Sequence, residues 1–556
     1  MRALAAATPR WAAAAALVLA GCASSVANPP AQNILMFNSD GRPIDPRAAG
    51  DAAASEYAEL GDREYETTYL TRLFDCMAEY FRSSPARPPG PPCGQTPLIA
   101  SRPAPADVKR VLIFVHGGLD TQAATIRRVV DRTSGRELYN EIAGQGYYPV
   151  FVNWRASFTS SYLEEVGVIR QGERKPALGL ATAPAVFLFD VVRGLARAPL
   201  VWTSQIANDA RTIPPPGSEL RDADGVAREL ICAYEYADPP VCREGFRFRA
   251  APFCVPFNVR SSGALAGNRN FARREPPSAT TFPISVGEDR RTCAEMDLSF
   301  ATYFLTLPTR FLIEPAIDAF GTSAWEGMLR RTRLLYNRDD EFHRAGAEPA
   351  GEGDARSEDP AGIPRRGGLS IFLRRLGEEI KRDGGAWEIT LVGHSMGTIV
   401  LDQLLREAVQ QRVDLPVRNI VYMAAAASVR EVQDSVLPHL RAAPGARFYN
   451  LMLHPVAEER ESYTWGGVPI DPGPRGSLLV LIDNFLSRPL TYLDRTAGRY
   501  DNFMPAAHAV PEDLRPRVSI KVFSVGDSPD VRGASPQKHV EFTTRFRWWT
   551  EECWKP

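Results

Sequence analysis

Six short, mostly apolar runs of five or six residues alternate along this chain with segments of helical periodicity. Runs of this length, bounded by turn residues, are typical of strands that are buried on both faces of a parallel sheet. Because strands that alternate with helices favour parallel pairing, the pattern predicts an α/β domain with a mostly parallel central sheet flanked by helices. The six runs are residues 111–115, 148–152, 387–392, 419–423, 448–453 and 518–523.

The length and charge of the chain narrow the possible classes of protein. Its 556 residues exceed the size at which a single hydrophobic core usually stops growing, which predicts two domains or one domain with large insertions. The formal net charge is −1, and basic residues are interleaved with acidic ones rather than gathered in a run. Because phosphate backbones need a surplus of Lys and Arg, a nucleic-acid-binding protein is not expected.

The first residues have the pattern of an export signal. A basic start precedes an apolar stretch, Trp11–Ala20, that is too short to span a membrane but fits a signal-peptide core. The stretch ends in Leu19-Ala20-Gly21-Cys22, which resembles the bacterial lipobox. The resemblance implies that residues 1–21 are a signal peptide that is removed and that Cys22 is acylated. An ordinary secretory signal with a chance cysteine is the alternative.

The same resemblance predicts where the protein resides. An amino terminus with three acyl chains exceeds the two membrane signals that stable anchoring needs. Ala23 and Ser24 follow the cysteine rather than Asp, which in Gram-negative lipoproteins is consistent with delivery to the outer membrane. We therefore expect a lipid-anchored protein of the bacterial cell envelope.

Export places the seven other cysteines in an oxidising environment, where they should pair if geometry allows. Their connectivity cannot be deduced from the sequence, and the odd count leaves one cysteine over. No Cys-x-x-Cys or Cys/His pair has zinc spacing, so no metal site is predicted. The local pairs are Cys76–Cys93, Cys232–Cys242 and Cys254–Cys293, with Cys553 left over.

Two segments depart from the α/β pattern and are predicted to lie outside the core. Residues 22–104 combine a Pro-rich stretch with one helical patch, which is typical of an extension or spacer. Residues 157–365 contain two apolar helical stretches, 178–202 and 298–336, and no membrane span is expected because prolines and charges interrupt both. We predict a cap or lid with a face for lipid; helices that merely pack on the main domain are the alternative. The predicted core comprises residues 105–156 and 366–556.

The pentapeptide Gly393-His394-Ser395-Met396-Gly397 carries the strongest chemical signal. A strand-like run leads directly into it and a helical segment leads directly out, which is the setting of a nucleophile elbow. There the serine adopts a strained conformation that lifts its hydroxyl above the sheet edge. Gly393 and Gly397 remove side chains that would clash where strand and helix pass closely. The amino terminus of the helix places amide groups near the reacting oxygen.

With this motif, residues 105–156 and 366–545 resemble the α/β-hydrolase superfamily, in its lipase/esterase branch. Phe114-Val115-His116-Gly117-Gly118 matches the segment that supplies half of the oxyanion hole in that family. The resemblance implies an α/β-hydrolase fold with a large, mainly helical cap insertion. It also implies an oxyanion hole made by the backbone amides of Met396 and of Gly118 or Leu119. His116 is expected to be a turn histidine bonded to backbone.

A serine nucleophile needs a base, and the family order of serine, acid and histidine puts that base after the last strand. Of the seven histidines, His539 falls in the loop that follows run 518–523, so it is the predicted base. The acid should follow run 448–453, where Glu458 is preferred and Glu459 comes next. The family usually has Asp at this place, which leaves the acid open. The rival carboxylates are Asp483, Asp527 and Asp530.

These residues predict a membrane-anchored serine hydrolase that cleaves carboxylic esters through an acyl-enzyme and needs no cofactor. The envelope location and the apolar cap make acyl lipids the substrate hypothesis, with small esters as the alternative. An acyltransferase, a thioesterase or a peptidase would use the same triad. A non-catalytic envelope binding lipoprotein on a hydrolase scaffold is the alternative from another class.

Overall fold

A computed structural model describes most of the predicted core and parts of the two flanking segments. The described residues form a series of separate ranges. They are residues 31–46, 59–82, 108–118, 122–129, 138–170, 173–212, 284–286, 300–337, 366–453, 457–458, 461, 476–487, 489–500, 502–503, 510–511, 513–523, 529–530, 533–534, 536 and 538–555.

Within these residues, the central sheet has nine strands in the order β2-β1-β4-β3-β8-β9-β10-β11-β7. All neighbours pair in parallel except β1 and β2, which are antiparallel at one edge. Two small antiparallel hairpins, β5-β6 and β12-β13, lie outside this sheet. The strands are β1 (Ile34–Phe37), β2 (Pro43–Ile44), β3 (Val108–Val115), β4 (Tyr147–Trp154), β5 (Ile169–Arg170), β6 (Glu173–Arg174), β7 (Ile284–Val286), β8 (Ala386–His394), β9 (Val417–Met423), β10 (Arg447–Met452), β11 (Val518–Val522), β12 (Pro529–Asp530) and β13 (Gly533–Ala534).

Helices flank the sheet and connect its strands. Short 3-10 or π-helical turns cover Ala31–Asn33, Tyr65–Leu70, Ile482–Leu486, Tyr492–Asp494 and Arg515–Arg517. The α-helices are α1 (Asp62–Glu64), α2 (Thr71–Arg82), α3 (Gln122–Val129), α4 (Leu138–Gly144), α5 (Phe158–Gly167), α6 (Pro176–Thr212), α7 (Phe300–Leu334), α8 (Gly368–Asp383), α9 (Gly397–Gln410), α10 (Val429–Ala442), α11 (Leu478–Leu481), α12 (Glu541–Thr544) and α13 (Glu551–Trp554).

The six strand-like runs of the sequence all form strands of the central sheet, so the predicted α/β class with a mostly parallel sheet is confirmed. Their apolar residues form the core because helices cover them. All eight residues of β4 are buried, and so are all five of β11. Parallel strands that lose solvent on both faces are expected to be apolar throughout, which is the pattern seen here.

Two segments outside the predicted core also contribute to the sheet. β1 lies in the predicted spacer, yet it pairs with β4, and each of its residues is at most 1% exposed. β7 lies in the predicted cap insertion and pairs with β11 at the opposite edge. The division of the chain into extension, core and insertion therefore does not coincide with the limits of the sheet.

The two apolar stretches of the insertion form the long helices α6 and α7, which pack against each other in antiparallel directions. Trp202 of α6 donates from Nε1 to the carbonyl oxygen of Phe311 at 3.0 Å, while Arg193 donates to the carbonyl oxygen of Ala319 at 2.7 Å. The carboxyl end of α7 joins the main body, where the Tyr336 hydroxyl donates to the carbonyl oxygen of Val400 at 2.9 Å.

One described helical segment, Pro176–Thr203 of α6, is long and apolar enough to cross a membrane by length and composition. Its mean hydropathy is 1.5, and only 17% of its most apolar stretch is buried in the protein. The core helix of a soluble protein would be mostly buried, so this segment differs from an ordinary packed helix.

Candidate active site

The topology of the sheet marks one place on its edge as a candidate binding site. From β3 the chain continues to β4 on one side, whereas from β8 it continues to β9 on the other side. The carboxyl ends of β3 and β8 are adjacent, with Val115 paired to Gly393. In open α/β sheets, ligands bind outside the carboxyl ends of the strands at such a reversal of strand order. The predicted serine follows β8 and the predicted oxyanion loop follows β3, so both lie at this reversal.

Ser395 occupies the sharp turn between β8 and α9. Its φ is 53°, in the left-handed region, where a residue other than Gly is strained by about 1–2 kcal/mol. Backbone hydrogen bonds hold this turn: Ser395 N donates to Met423 O at 3.0 Å, and Ala426 N donates to Ser395 O at 3.1 Å. The Ser395 hydroxyl is buried, and no described residue hydrogen-bonds to it. The fold thus stores strain to hold a polar group that it does not itself satisfy.

Two glycines permit the close approach of strand and helix at this turn. A Cβ atom on Gly397 would clash with the carbonyl oxygen of Val115, because the first turn of α9 passes directly over the end of β3. A Cβ atom on Gly393 would lie 2.9 Å from Cδ1 of Leu401. No side chain caps the amino terminus of α9, whose N-cap residue is Met396.

The glycine turn after β3 lies directly against the serine turn. A Cβ atom on Gly117 would lie 2.9 Å from Cβ of Ser395, and one on Gly118 would overlap the side chain of Met396. The backbone of this turn therefore approaches the serine without any intervening side chain. Leu119, the alternative oxyanion donor, lies outside the described residues.

His116 holds the glycine turn in place. Its Nδ1 lies 2.8 Å from the carbonyl oxygen of Gly117, and its Nε2 accepts from the amide of Trp154 at 3.2 Å. The indole of Trp154 in turn donates to the carbonyl oxygen of His116 at 3.3 Å. This confirms the prediction of a turn histidine bonded to backbone.

The structure brings His539 to the serine turn through His394. The two imidazole centroids are 4.9 Å apart, and Nε2 of His394 donates to the carbonyl oxygen of His539 at 3.0 Å. His539 is 5% exposed, and neither of its ring nitrogens has a hydrogen-bond partner among the described residues. Burial, and then the neighbouring His394, hold the pKa of His539 well below its usual range, so its ring stays neutral at neutral pH.

Glu461 is the carboxylate that the structure places against the histidine. Its Oε2 accepts from the backbone amide of His539 at 2.8 Å, and burial raises the pKa of Glu461 to about 7. Sequence reasoning named Glu458 instead, which is buried three residues earlier and accepts from the Ser477 hydroxyl through Oε2. The spacing of one helical turn from Glu458 was the signal that could have pointed to Glu461.

The other predicted acids and anchors are placed as follows. Asp483 accepts hydrogen bonds from Thr496, Arg499 and Asn502 in a separate buried cluster. These contacts satisfy its carboxylate. The backbone of Asp530 lies in β12, whereas Glu459, Asp527 and the lipidation residue Cys22 lie outside the described residues. The predicted disulfides also remain predictions, because at least one cysteine of each pair falls outside them.

No family model matches the chain, and neither a curated protein nor a solved structure matches it. Among the described residues, no group of three or more His, Cys, Asp or Glu side chains could hold a metal ion. The site combines a strained, unsatisfied serine hydroxyl with a neutral imidazole, a buried carboxyl group and a bare backbone turn.

Proposed function

We propose that this chain is a serine hydrolase of α/β-hydrolase fold that cleaves carboxylic esters. The observation that carries the proposal is Ser395, held at a positive φ between β8 and α9 with a hydroxyl that no described residue binds. The hydroxyl of a serine with a structural role would donate a hydrogen bond to a nearby carbonyl oxygen. The Thr398 hydroxyl does so, donating to Ser395 O at 2.7 Å. The position of this serine at the reversal of strand order supports the same conclusion.

In the proposed reaction, the Ser395 hydroxyl oxygen attacks the ester carbonyl while His539 accepts the hydroxyl proton. The neutral state of the buried imidazole suits it to this step. The backbone amides of Met396 and of Gly118 or Leu119 stabilise the oxyanion, each donor by about 3–4 kcal/mol. The tetrahedral intermediate then breaks down, His539 gives its proton to the leaving alcohol, and water hydrolyses the acyl-enzyme.

Two buried glutamates, Glu458 and Glu461, are candidates for the acid of the triad. Glu458 is the sequence-based choice, while Glu461 holds the backbone of His539 in place. Both lie in the short segment after β10 and both are buried; Glu461 accepts from the His539 amide, whereas Glu458 accepts from the Ser477 hydroxyl. We assign Glu461 a positioning role and retain Glu458 as the proposed acid.

A fluorophosphonate probe tests the nucleophile. We expect the probe to label the wild-type chain at Ser395, and the variant Ser395→Ala to lose both labelling and ester cleavage. The control is Ser370→Ala, which changes a buried serine on α8 that accepts a hydrogen bond from Gln411. That variant should keep its labelling. Undiminished labelling of Ser395→Ala would show that the assignment is wrong.

The proposed substrates are acyl esters, and the proposed location is the cell envelope with Cys22 acylated. Cleavage rates across ester chain lengths, with and without bilayers, would test the lipid hypothesis. A sharp optimum for short soluble esters would contradict it. Product analysis in the presence of a competing alcohol would detect acyl transfer in place of hydrolysis.

A further inference from the structure

Helix α6 presents a long apolar face to solvent. Each of the large side chains that form it is more than half exposed, which is unusual for a packed helix of a globular protein. Exposed apolar patches of this extent mark interaction surfaces. The face includes Leu180, Leu188, Phe189, Val192, Leu195 and Leu200.

In the stretch 176–203 of this helix, each charged side chain is paired with an opposite charge. Asp190 is 2% exposed and pairs with Arg193 at 2.9 Å, while Arg197 pairs with the fully buried Asp318 of α7 at 3.1 Å. Every exposed residue in 176–200 is Ala, Pro, Leu, Phe or Val. The outer face of α6 therefore offers neither a charge nor a side-chain hydrogen-bonding group over about 36 Å of helix.

This absence of polar groups favours hydrocarbon over protein as the occupant of the face. Interfaces between proteins carry about one hydrogen bond per 100–200 Å² and a polar rim, which the α6 face cannot provide from its own side chains. By contrast, α8 is amphipathic in the ordinary way, with Glu378, Lys381 and Arg382 exposed. Inward-facing, paired charges on an otherwise apolar helix are the arrangement that a lipid environment requires.

The sheet excludes a transmembrane position for α6. β7 follows α6 in the chain and pairs with β11 of the central sheet, so the chain must return to the body after the helix. Residues 213–283 contain no apolar stretch of the length that a second crossing would need. An extended return through hydrocarbon would leave backbone groups without hydrogen bonds. A membrane contact of this helix would therefore run along the bilayer rather than through it.

The proposed lipid anchor would tether the described body close to a bilayer. The described structure begins at Ala31, nine residues after Cys22, and nine extended residues span at most about 32 Å. We propose that α6 docks on the membrane with its outer face in the boundary between headgroups and acyl chains. The tether depends on the proposed lipidation of Cys22. The exposure and the charge pattern of α6 are observed independently of it.

Photolabelling tests the docking on the full chain. The protein is bound to vesicles of phosphatidylethanolamine and phosphatidylglycerol that contain a lipid with a diazirine in its acyl chain, and labelled residues are mapped by mass spectrometry. We expect label on the outer face of α6 and none on α8. The double variant Leu188→Glu/Leu195→Glu should lower the α6 label at least about tenfold, because two large apolar side chains leave the lipid.

The matched control is Val409→Glu/Leu490→Glu, which places the same charges at two exposed apolar positions outside α6 and should leave the label unchanged. Photoreactive leucine incorporated into the chain crosslinks α6 to any other occupant of its outer face. Crosslinks from α6 to a second copy or to residues 213–283, with no lipid label, would overturn the proposal, as would an equal α6 label in the double variant. Fluorophosphonate labelling of Ser395 in the same samples shows separately whether the proposed catalysis holds.

Discussion

The protonation of His539 sets the pH range of the proposed reaction. As a base it must be neutral, and its pKa is held well below the usual 6.5 because burial and the adjacent His394 disfavour the charged ring. We therefore expect kcat/KM for a soluble ester to stay constant on acidification to pH 6.5 and to fall only below it. A pH–rate profile of the free enzyme measures this. An acid limb with a midpoint above 6.5 would contradict the assignment of His539 as a buried base.

Glu461 lowers the free energy of unfolding as pH rises, whereas an ordinary ion-paired surface carboxylate raises it. Its pKa rises from 4.5 in the unfolded chain to about 7 in the folded one, so folding favours the protonated form. The stability present below pH 4.5 is lost as pH rises through 7, by a difference on the order of 3 kcal/mol. Glu461→Gln keeps an acceptor for the His539 amide and removes the ionisation. We expect it to unfold at higher urea than wild type at pH 8 and at similar urea near pH 4.

The exposed Glu378 on α8 provides the control for that measurement, since it is ion-paired at the surface with Arg374. Glu378→Gln should change the free energy of unfolding by less than about 1 kcal/mol at either pH. An identical effect of Glu461→Gln at both pH values would show that the Glu461 carboxyl group is not neutral near pH 7 in the fold.

At the scale of elements, the contact between α9 and β3 determines where the serine turn sits. Gly397→Ala would push a methyl group into the carbonyl oxygen of Val115, and neither backbone can move without shifting the turn. We expect a loss of about 1–3 kcal/mol in the free energy of unfolding, together with weaker fluorophosphonate labelling. Gly167→Ala at the end of α5 is the control, because nothing lies within 4 Å of the added methyl group. Equal stability of the two variants would contradict the close approach.

Elements whose pattern is local were predictable from the sequence. An apolar run, a glycine-rich turn and a segment of helical periodicity follow one another directly and predict β8 and α9. The same order identified Ser395. β1 and β7 were missed because runs of four and three residues carry too little periodicity to stand out. The contact of Glu461 with His539 joins segments that are 78 residues apart, and only tertiary packing determines it.

At the scale of the whole molecule, the amino-terminal segment is part of the folding unit. β1 covers the edge of β4, and the aromatic rings of Phe74 on α2 and Phe372 on α8 stack with centroids 6.0 Å apart. A chain that starts at Val108 would expose the β4 edge and the apolar surface beneath α2. We expect it to aggregate even in a detergent that covers α6, whereas a chain that starts at Ala31 remains soluble and monodisperse in that detergent by size-exclusion chromatography. Equal solubility of both would restore the view of a dispensable spacer.

The order of the site residues along the chain has a consequence for biogenesis. His394 and His539 are 145 residues apart, and chains are synthesised from the amino end first. The nucleophile turn therefore emerges well before the proposed base. The segment that follows the base packs on the sheet, where the rings of Trp554 and Tyr449 have centroids 4.7 Å apart. On the proposed mechanism and the proposed export, a partly exported chain has a nucleophile without a base, so ester cleavage would begin only after that segment has docked.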